Sequence, residues 1–191
     1  MYLYNSGYEW VKVYSHDAVG GYFPDLESGK QFNEYDPGAY LYSILYKLED
    51  YRKDGIFHIR FCWEELEYDF PCNEWKQSSN FAEEKEIIDF EEVEITFPQS
   101  GIGGTFGGLG LSPASYAYNL IDDLPDHGNW WYSVGTLTAY GSGFPGPYPS
   151  AVAKAEICIA ASMIFIKAKY EFIFVSDRLG LQRTSRSVEQ L

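Results

Sequence analysis

Alternation of apolar and polar residues predicts several short strands along this chain. Residues 9–14 alternate before a turn at Gly20-Gly21, and residues 57–63 carry their large apolar side chains at the odd positions. Successive side chains of a strand point to opposite faces, so a period of two is typical of a sheet with one buried face. The same criteria predict further strands over residues 93–97, 130–137 and 152–159.

One segment departs from this pattern and predicts an α-helix. Asp36 is the expected N-cap, Pro37 follows at the first helical position, and Gly55 is the expected stop. The apolar residues that would share one face of this helix are Leu41, Ile44, Leu45 and Leu48. Seven or so short strands and this helix predict a mainly β fold, an antiparallel β-sandwich of jelly-roll type with one covering α-helix.

Charge divides the chain into two parts. Its 191 residues include 28 Asp and Glu against 14 Lys and Arg, a formal net charge of −14. Residues 64–94 hold twelve acidic side chains and two lysines, whereas residues 160–191 have a balance of +2, which leaves −16 for residues 1–159. We therefore predict an acidic, aromatic-rich β domain over 1–159, followed at 160–191 by an atypical basic tail or an added strand hairpin.

This acidity argues against two classes of partner. Nucleic-acid binders need basic stripes to displace counterions, and docking on anionic membranes needs the same charge. The longest apolar run, residues 157–166, has about half the length of a membrane span and runs into Lys167. The first residues show neither a basic start nor an apolar run of signal-peptide length. We expect no nucleic-acid partner and no membrane span, and the oligomeric state stays open.

Two of the three cysteines have a spacing that suits a disulfide bond. Cys62 and Cys72 are ten residues apart and flank a polar stretch that contains Pro71, so they can close a small loop. Two free, buried cysteines are the alternative. Cys158 alternates with apolar neighbours and is expected to be an unpaired strand residue.

Two acidic stretches are candidates for calcium. Asp122, Asp123 and Asp126 lie around Pro125 on a short turn, where their carboxylates can converge on one hard cation, although turn chemistry alone also explains them. The acidic run at 83–94 is a candidate for weak calcium binding or contact with a mineral, or else a solvated strand face or loop. Calcium is thus the one cofactor that the sequence suggests.

Neighbouring aromatic residues predict a ligand-binding surface. Trp130, Trp131 and Tyr132 follow Asn129, and consecutive rings on a strand point to opposite faces. One tryptophan is then expected in the core and its neighbour at the surface. Aromatic faces suit the apolar C–H face of sugars, and Asn129 can bind the hydroxyls. The alternative is that all three rings pack internally.

No motif predicts an active site. No serine lies in a Gly-x-Ser-x-Gly elbow, and the Gly-rich run at 101–108 lacks the Gly-Lys-Ser/Thr ending of a phosphate loop, which favours a tight β connection. His16 and His127 lie in turns where surface roles are expected, and His58 is expected to face outward from its strand. We predict a protein that is not an enzyme. An acidic hydrolase is kept as an alternative, because so acidic a chain always offers carboxylate pairs.

Several stretches between residues 8 and 159 resemble, in their order and spacing, those of a known family. They are residues 9–17, 20–23, 36–37, 42–45, 47–48, 72–80, 107–110, 130–135, 145–147 and 153–157. In these stretches the chain resembles secreted domains of corals, sea anemones and other marine invertebrates, of the fibrinogen-like or skeletal organic matrix type. It departs from that family by showing no signal peptide and by carrying the tail 160–191 where such domains usually stop.

The resemblance implies an extracellular, noncatalytic recognition, adhesion or matrix domain. Its expected partners are glycans or components of the extracellular matrix, with calcium as an accompanying ion. A structural, acidic, biomineral-associated matrix protein without a discrete pocket is the alternative that this resemblance leaves open.

Overall fold

Strand pairing organises the chain into one large and one small sheet. The computed structural model describes residues 8–64, 72–98, 105–112, 119–122, 132–137 and 154–162. The strands are β1 (Tyr8–Asp17), β2 (Gln31–Phe32), β3 (Leu41–Ile44), β4 (Phe57–Glu64), β5 (Cys72–Gln77), β6 (Glu91–Ile95), β7 (Gly110–Leu111), β8 (Ile121–Asp122) and β9 (Lys154–Ser162). Seven of them form an antiparallel sheet in the order β2-β3-β1-β9-β4-β5-β6, and β7 pairs antiparallel with β8. The prediction of a mainly β fold is confirmed.

The alternation predicted at residues 57–63 is confirmed in β4. Its inward side chains are fully buried, namely Phe57, Ile59, Phe61 and Trp63. His58 and Arg60 are half-buried on the opposite face, which we call the outer face of the large sheet. The strand pairs with β5 on one side and β9 on the other, so Phe61 lies opposite both Asn73 and Ile157. A strand flanked on both sides brings its inward side chains to the middle of the core.

The predicted helix is present only in part. Residues 41–44 form β3, whose four side chains are buried between β2 and β1, and a 3₁₀ helix, not an α-helix, spans Leu45–Tyr51. Asp36 caps a turn instead, because its carboxylate accepts a hydrogen bond from the Gly38 N–H at 3.1 Å. An Asp before a Pro is compatible with a turn or with the start of a helix. Because residues 41–44 form a strand that is buried on both faces, no helix begins at Asp36, and this residue caps the turn instead.

The sequence pattern did not predict β5. Asn73, Trp75 and Gln77 are fully buried and alternate with half-buried residues, but two of these three inward positions carry amides rather than apolar groups. Asn73 exchanges two hydrogen bonds with the backbone of Phe97, at 3.1 and 2.9 Å. Gln77 does the same with the backbone of Leu109, at 2.9 and 3.1 Å. These partners compensate for the burial of the amides.

Aromatic rings fill the core against the inner face of the large sheet. Trp75 meets Phe106 at 4.9 Å between ring centroids, and Phe106 meets Tyr132 at 5.1 Å. Leu120 and Ile121, beside and within β8, are also buried. The short segments around 105–112, 119–122 and 132–137 therefore contribute side chains to the same core as β4 and β5.

The chain divides into two compact units, one covering Trp10–Ala160 and the other combining Met1–Glu9 with Ala161–Leu191. β9 continues through Ile159 to Ser162, and the division into 1–159 and 160–191 stays a prediction. Within the described ranges, no helix is long and apolar enough to cross a bilayer.

Candidate functional site

A buried carboxylate on the outer face of the large sheet is the centre of the candidate site. Glu156 lies on β9 opposite Cys62 of β4, and the residue is only 8% exposed. Its chain neighbours Ala155 and Ile157 are fully buried against the core. Alternation along the strand therefore directs Glu156 to the outer face. A carboxylate so little exposed needs hydrogen-bond donors or cations around it.

Three donors from β1 and β9 surround this carboxylate. Lys12 Nζ donates to Glu156 Oε1 at 2.6 Å, Lys154 Nζ lies 3.3 Å from the same oxygen, and Ser15 Oγ lies 3.5 Å away. The side chains of Lys12 and Lys154 keep 29% and 23% of their surface exposed. Charge-assisted contacts of this kind hold Glu156 in one orientation while the two ammonium groups still reach solvent.

A small cavity of about 100 Å³ adjoins these groups. Its lining residues are Lys12, Ser15, Asp17, Pro37, Gly38, Ala39, Tyr40, Lys154 and Glu156, and we call it the Glu156 pocket. Lys12 Nζ also lies 3.4 Å from the Pro37 carbonyl oxygen, which ties the loop at residues 37–40 to β1. The pocket thus presents two ammonium groups, two carboxylates and main-chain polar groups around one opening.

Tyr40 stands in a fixed position at the edge of the pocket. Its carbonyl oxygen accepts a hydrogen bond from the Asp17 N–H at 2.8 Å, and its side chain packs on Gly20, where an added Cβ would overlap the tyrosine. The residue still exposes 58% of its surface. Asp17 accepts a hydrogen bond from the Val19 N–H at 2.9 Å and so caps the short 3₁₀ turn Ala18–Gly20. Backbone contacts therefore position an open aromatic ring beside the charged groups.

The predicted aromatic surface lies only partly within the described residues. Tyr132 is fully buried, its hydroxyl donates to the Phe97 carbonyl oxygen at 2.8 Å, and its ring lies 5.7 Å from that of Trp63. Tyr132 thus belongs to the core, which corrects the expectation that it binds a ligand. Asn129, Trp130 and Trp131 lie outside the described residues.

Two of the three predicted calcium ligands lie outside the described residues, so calcium at this turn stays a prediction. Asp122 has its backbone in β8, whereas Asp123 and Asp126 lie outside the described ranges. No group of three or more His, Cys, Asp or Glu side chains suited to a metal ion occurs in the part of the chain that the structure describes. The acidic stretch at 83–94 divides instead into two parts. Glu84 accepts a hydrogen bond from the Asn80 N–H at 2.7 Å, and β6 presents exposed glutamates.

The two described histidines have different surroundings. His16, expected at the surface, lies in β1 and is fully buried. Its Nε2 is 3.0 Å from the Gly21 carbonyl oxygen, and its ring packs edge-on against Phe23. Burial lowers the pKa of His16 to about 4. His58 lies half-buried on the outer face, 2.8 Å from Glu74 Oε1, and His127 lies outside the described residues.

Cys62 and Cys72 form a disulfide bond between directly opposite positions of β4 and β5. Cys158 is a free cysteine of β9, opposite Arg60. Burial raises the pKa of the Cys158 thiol to about 11, and the nearby Glu156 carboxylate acts in the same direction. A thiol with so high a pKa is a poor nucleophile at neutral pH.

The central residues of the pocket were not singled out from the sequence. Lys12 and Glu156 interrupt two predicted strands that are otherwise largely apolar, at positions that point away from the core. A charged residue at such a position usually marks only the solvated face of a strand. The signal that was missed is that Lys12 and Glu156 have opposite charges, which becomes informative once β1 and β9 are known to be neighbours.

Comparisons with known proteins give no relatives for this chain. Neither protein-family models, nor curated proteins, nor solved structures yield a match.

Proposed function

We propose that this chain is an extracellular, noncatalytic recognition domain that binds a neutral glycan in the Glu156 pocket. The observation that carries the proposal is the lining of the pocket, where two lysines and two carboxylates occur together with the exposed Tyr40. The position of the site on a sheet face and on the adjoining loop is typical of recognition surfaces held on a rigid scaffold.

The mixture of charges favours a neutral polyol over an ion. A bound anion would meet the carboxylates of Asp17 and Glu156, and a bound cation would meet the ammonium groups of Lys12 and Lys154. A sugar hydroxyl both accepts from an ammonium group and donates to a carboxylate, so it satisfies both kinds of lining group. The open ring of Tyr40 then offers a face to the apolar C–H groups of the sugar.

The extracellular part of the proposal is supported by the disulfide. Cys62 and Cys72 are bonded across two paired strands. Structural disulfides persist in oxidising compartments and are rare in the cytosol. The resemblance to secreted matrix domains points to the same compartment and to glycans or matrix components as partners.

We also propose that the mainly β fold is a β-sandwich with a second layer facing the large sheet. The short β7–β8 sheet and its buried neighbours Leu109 and Leu120 lie over the aromatic core. We take them as part of a second layer that faces the large sheet, as in a β-sandwich of jelly-roll type. Calcium at Asp122, Asp123 and Asp126 is retained as an accompanying site.

A glycan array tests the proposal, with neutral, sialylated and sulfated glycans in the presence of calcium and of a chelator. We expect binding to neutral glycans. The chelator should reduce this binding only if calcium stabilises the fold or contacts the bound glycan. Absence of binding to every glycan in both conditions, on protein with a native circular dichroism spectrum, would contradict it.

Matched variants then locate the site by calorimetry. Glu156→Gln and Lys12→Ala each remove a charged hydrogen-bonding group, and we expect roughly tenfold or greater loss of affinity. Glu74→Gln and Lys76→Ala are the controls, because these residues form comparable ion pairs with Arg60 and Glu91 on the same sheet. Equal losses of affinity in the pocket variants and in the control variants would mean that the glycan binds outside the Glu156 pocket.

A structural, acidic matrix function is the second candidate, and the edge strand β6 favours it. Glu91, Glu92 and Glu94 are all exposed there, with Val93 46% exposed between them. Calcium titration by calorimetry should then show many weak sites. A single stoichiometric site of high affinity would contradict this candidate.

A further inference from the structure

A second group of exposed tyrosines lies on and directly after the hairpin that also carries Tyr40. This hairpin joins β2 to β3, and Tyr35 at its tip exposes 91% of its surface. Tyr46, at the start of the 3₁₀ helix, exposes 43%. Rings left open to this extent contribute little to the stability of the core. Both rings are therefore accessible to a ligand.

One carboxylate holds both tyrosines. Glu34 Oε2 accepts a hydrogen bond from the Tyr46 hydroxyl, and the Tyr35 hydroxyl also donates to Glu34. Lys47 Nζ and Gln31 Nε2 each lie 3.4 Å from the same oxygen. The hydrogen bonds from Tyr35 and then from Tyr46 lower the pKa of Glu34 to about 2. Glu34 is thus ionised, and able to hold the two hydroxyls, at any physiological pH.

The backbone beneath these side chains is also fixed. Asn33 adopts a left-handed conformation with φ of 48°, and its side chain donates to the Leu41 carbonyl oxygen at 2.9 Å. The Asp36 N–H donates to the Asn33 carbonyl oxygen at 2.8 Å. Two tyrosines whose hydroxyls are bound and whose hairpin is cross-linked lose little further freedom when a ligand covers their rings. Such preorganisation raises affinity.

We propose that Tyr35 and Tyr46 form a second saccharide-contact surface, so that the ligand of this domain is a neutral oligosaccharide rather than a single sugar. This inference rests on the proposed function of the Glu156 pocket. Tyr35 and Tyr40 are five residues apart, so their Cα atoms are at most about 18 Å apart at about 3.5 Å per residue. One extended chain of sugars can therefore contact the pocket through Tyr40 and continue to the outer tyrosines.

Charge around the tyrosines selects against acidic sugars. Lys47 is paired with Glu34 and also lies over the Tyr46 ring at 4.9 Å from its centroid. Glu34 and Asp36 flank Tyr35 directly in the chain. The negative charge of a sulfated or carboxylated sugar would be repelled by the carboxylates of Glu34 and Asp36. Lys47 would not offset this repulsion, because its ammonium group is already paired with Glu34. The rings and bound hydroxyls suit the C–H face and hydroxyls of a neutral sugar.

Calorimetry with sugars of increasing length tests this inference. The probes are glucose, mannose and N-acetylglucosamine, each with its linear homo-oligomers, applied to the full chain. We expect Tyr35→Ala and Tyr46→Ala each to weaken oligosaccharide binding by roughly three- to tenfold and to leave monosaccharide binding unchanged. Tyr35→Phe keeps the ring but loses the bond to Glu34, so its expected loss is smaller. Val19→Ala, an exposed apolar residue at 77%, is the control.

The outcomes separate this inference from the function on which it rests. If Tyr40→Ala and Lys12→Ala abolish binding while Tyr35→Ala and Tyr46→Ala have no effect on any oligomer, the second surface is wrong and the pocket stands. If the tyrosine variants weaken oligomers while the pocket variants have no effect, the tyrosine surface stands and the pocket proposal fails. Absence of binding of any of these probes to the wild-type chain overturns both. If Tyr35→Ala and Tyr46→Ala weaken the binding of monosaccharides and of oligosaccharides equally, the proposal of a separate second contact surface is wrong.

Discussion

The two faces of the large sheet are built from the same strands but from different chemistry. On the inner face, β4 and β5 bury Phe61, Trp63 and Trp75 completely. On the outer face, the same strands carry His58, Arg60 and Glu74, which bind one another and remain half-buried. The inner face therefore supplies most of the stability of the fold, whereas the outer face carries ordered polar groups that contribute little to it. The predictions that follow test this division of roles.

The largest effect is expected from the inner face. Phe61→Ala removes a fully buried ring that lies 4.2 Å from the Trp63 ring centroid, and we expect a loss of about 3–5 kcal/mol in the free energy of unfolding. Urea denaturation measures it. Phe61→Leu provides a milder variant, with an expected loss of about 1 kcal/mol, if the alanine variant does not fold. A loss below about 1 kcal/mol for Phe61→Ala would contradict a well-packed inner face.

Acid should weaken the fold through His16. Its folded pKa of about 4 lies below the unfolded value of 6.5, so the unfolded chain binds the proton first as the pH falls. The contribution of neutral His16 is complete above about pH 6.5 and is lost as the pH falls towards 4, a change of about 3 kcal/mol. Denaturation curves between these pH values measure it.

The matched control for this pH effect is the outer-face histidine. His16→Gln should flatten the pH dependence between 6.5 and 4, because burial of its ring lowers the pKa of His16. His58→Gln is the control, because its ring lies on the outer face of the large sheet and is only half-buried. A pH dependence that is unchanged in His16→Gln would show that another group is responsible.

Reduction of the Cys62–Cys72 disulfide should have an intermediate effect. The bond closes a loop with a sequence separation of ten residues, for which chain entropy predicts a stabilisation of about 2–3 kcal/mol. The double variant Cys62→Ser, Cys72→Ser should lose this amount, measured by urea denaturation, and become insensitive to dithiothreitol. Cys158→Ser is the control and should leave the response to dithiothreitol intact. An equal stability of the oxidised and reduced wild type would contradict the prediction.

The smallest change in stability is expected for the ion pair of the outer face. Arg60→Met removes the hydrogen bond from Arg60 Nε to Glu74 at 3.0 Å and the stacking on Trp10 at 4.2 Å, for an expected cost of about 1 kcal/mol or less. Burial raises the pKa of Glu74, but hydrogen bonds from His58 and Arg60 outweigh burial and hold it below its ordinary value. Carbon-detected NMR should therefore show this pKa rising in Arg60→Met. An unchanged pKa would mean that Arg60 does not bind Glu74.

Local patterns in the sequence predict strands whose inward positions are all apolar. The alternation of β4 was predicted within one residue, and the strand at the N-terminus was found with a longer extent than predicted, to Asp17. β5 was missed, because Asn73 and Gln77 occupy inward positions and only the backbone of distant Phe97 and Leu109 makes that burial acceptable. Such long-range compensation leaves no local pattern.

The predicted helix also shows that a local pattern cannot reveal long-range strand pairing. Leu41 and Ile44 fit a helical face in the sequence, yet both belong to a strand that is buried between two neighbours. A short apolar run is compatible with either structure, and tertiary pairing decides. Likewise, the pocket depends on β1 and β9 being adjacent, although Lys12 and Glu156 are 144 residues apart in the chain.

Our central proposal is that the outer face binds a neutral sugar at Glu156. Titration of the ¹⁵N-labelled chain with glucose, mannose and N-acetylglucosamine, followed by amide NMR shifts, tests it most directly. At least one of these sugars should shift the amides of Lys12, Ser15, Tyr40 and Lys154 along one saturable curve. The amides of residues whose side chains fill the inner face far from the pocket, such as Trp75, should not move. No saturable shift with any sugar, or shifts confined to residues away from the Glu156 pocket, would contradict the claim.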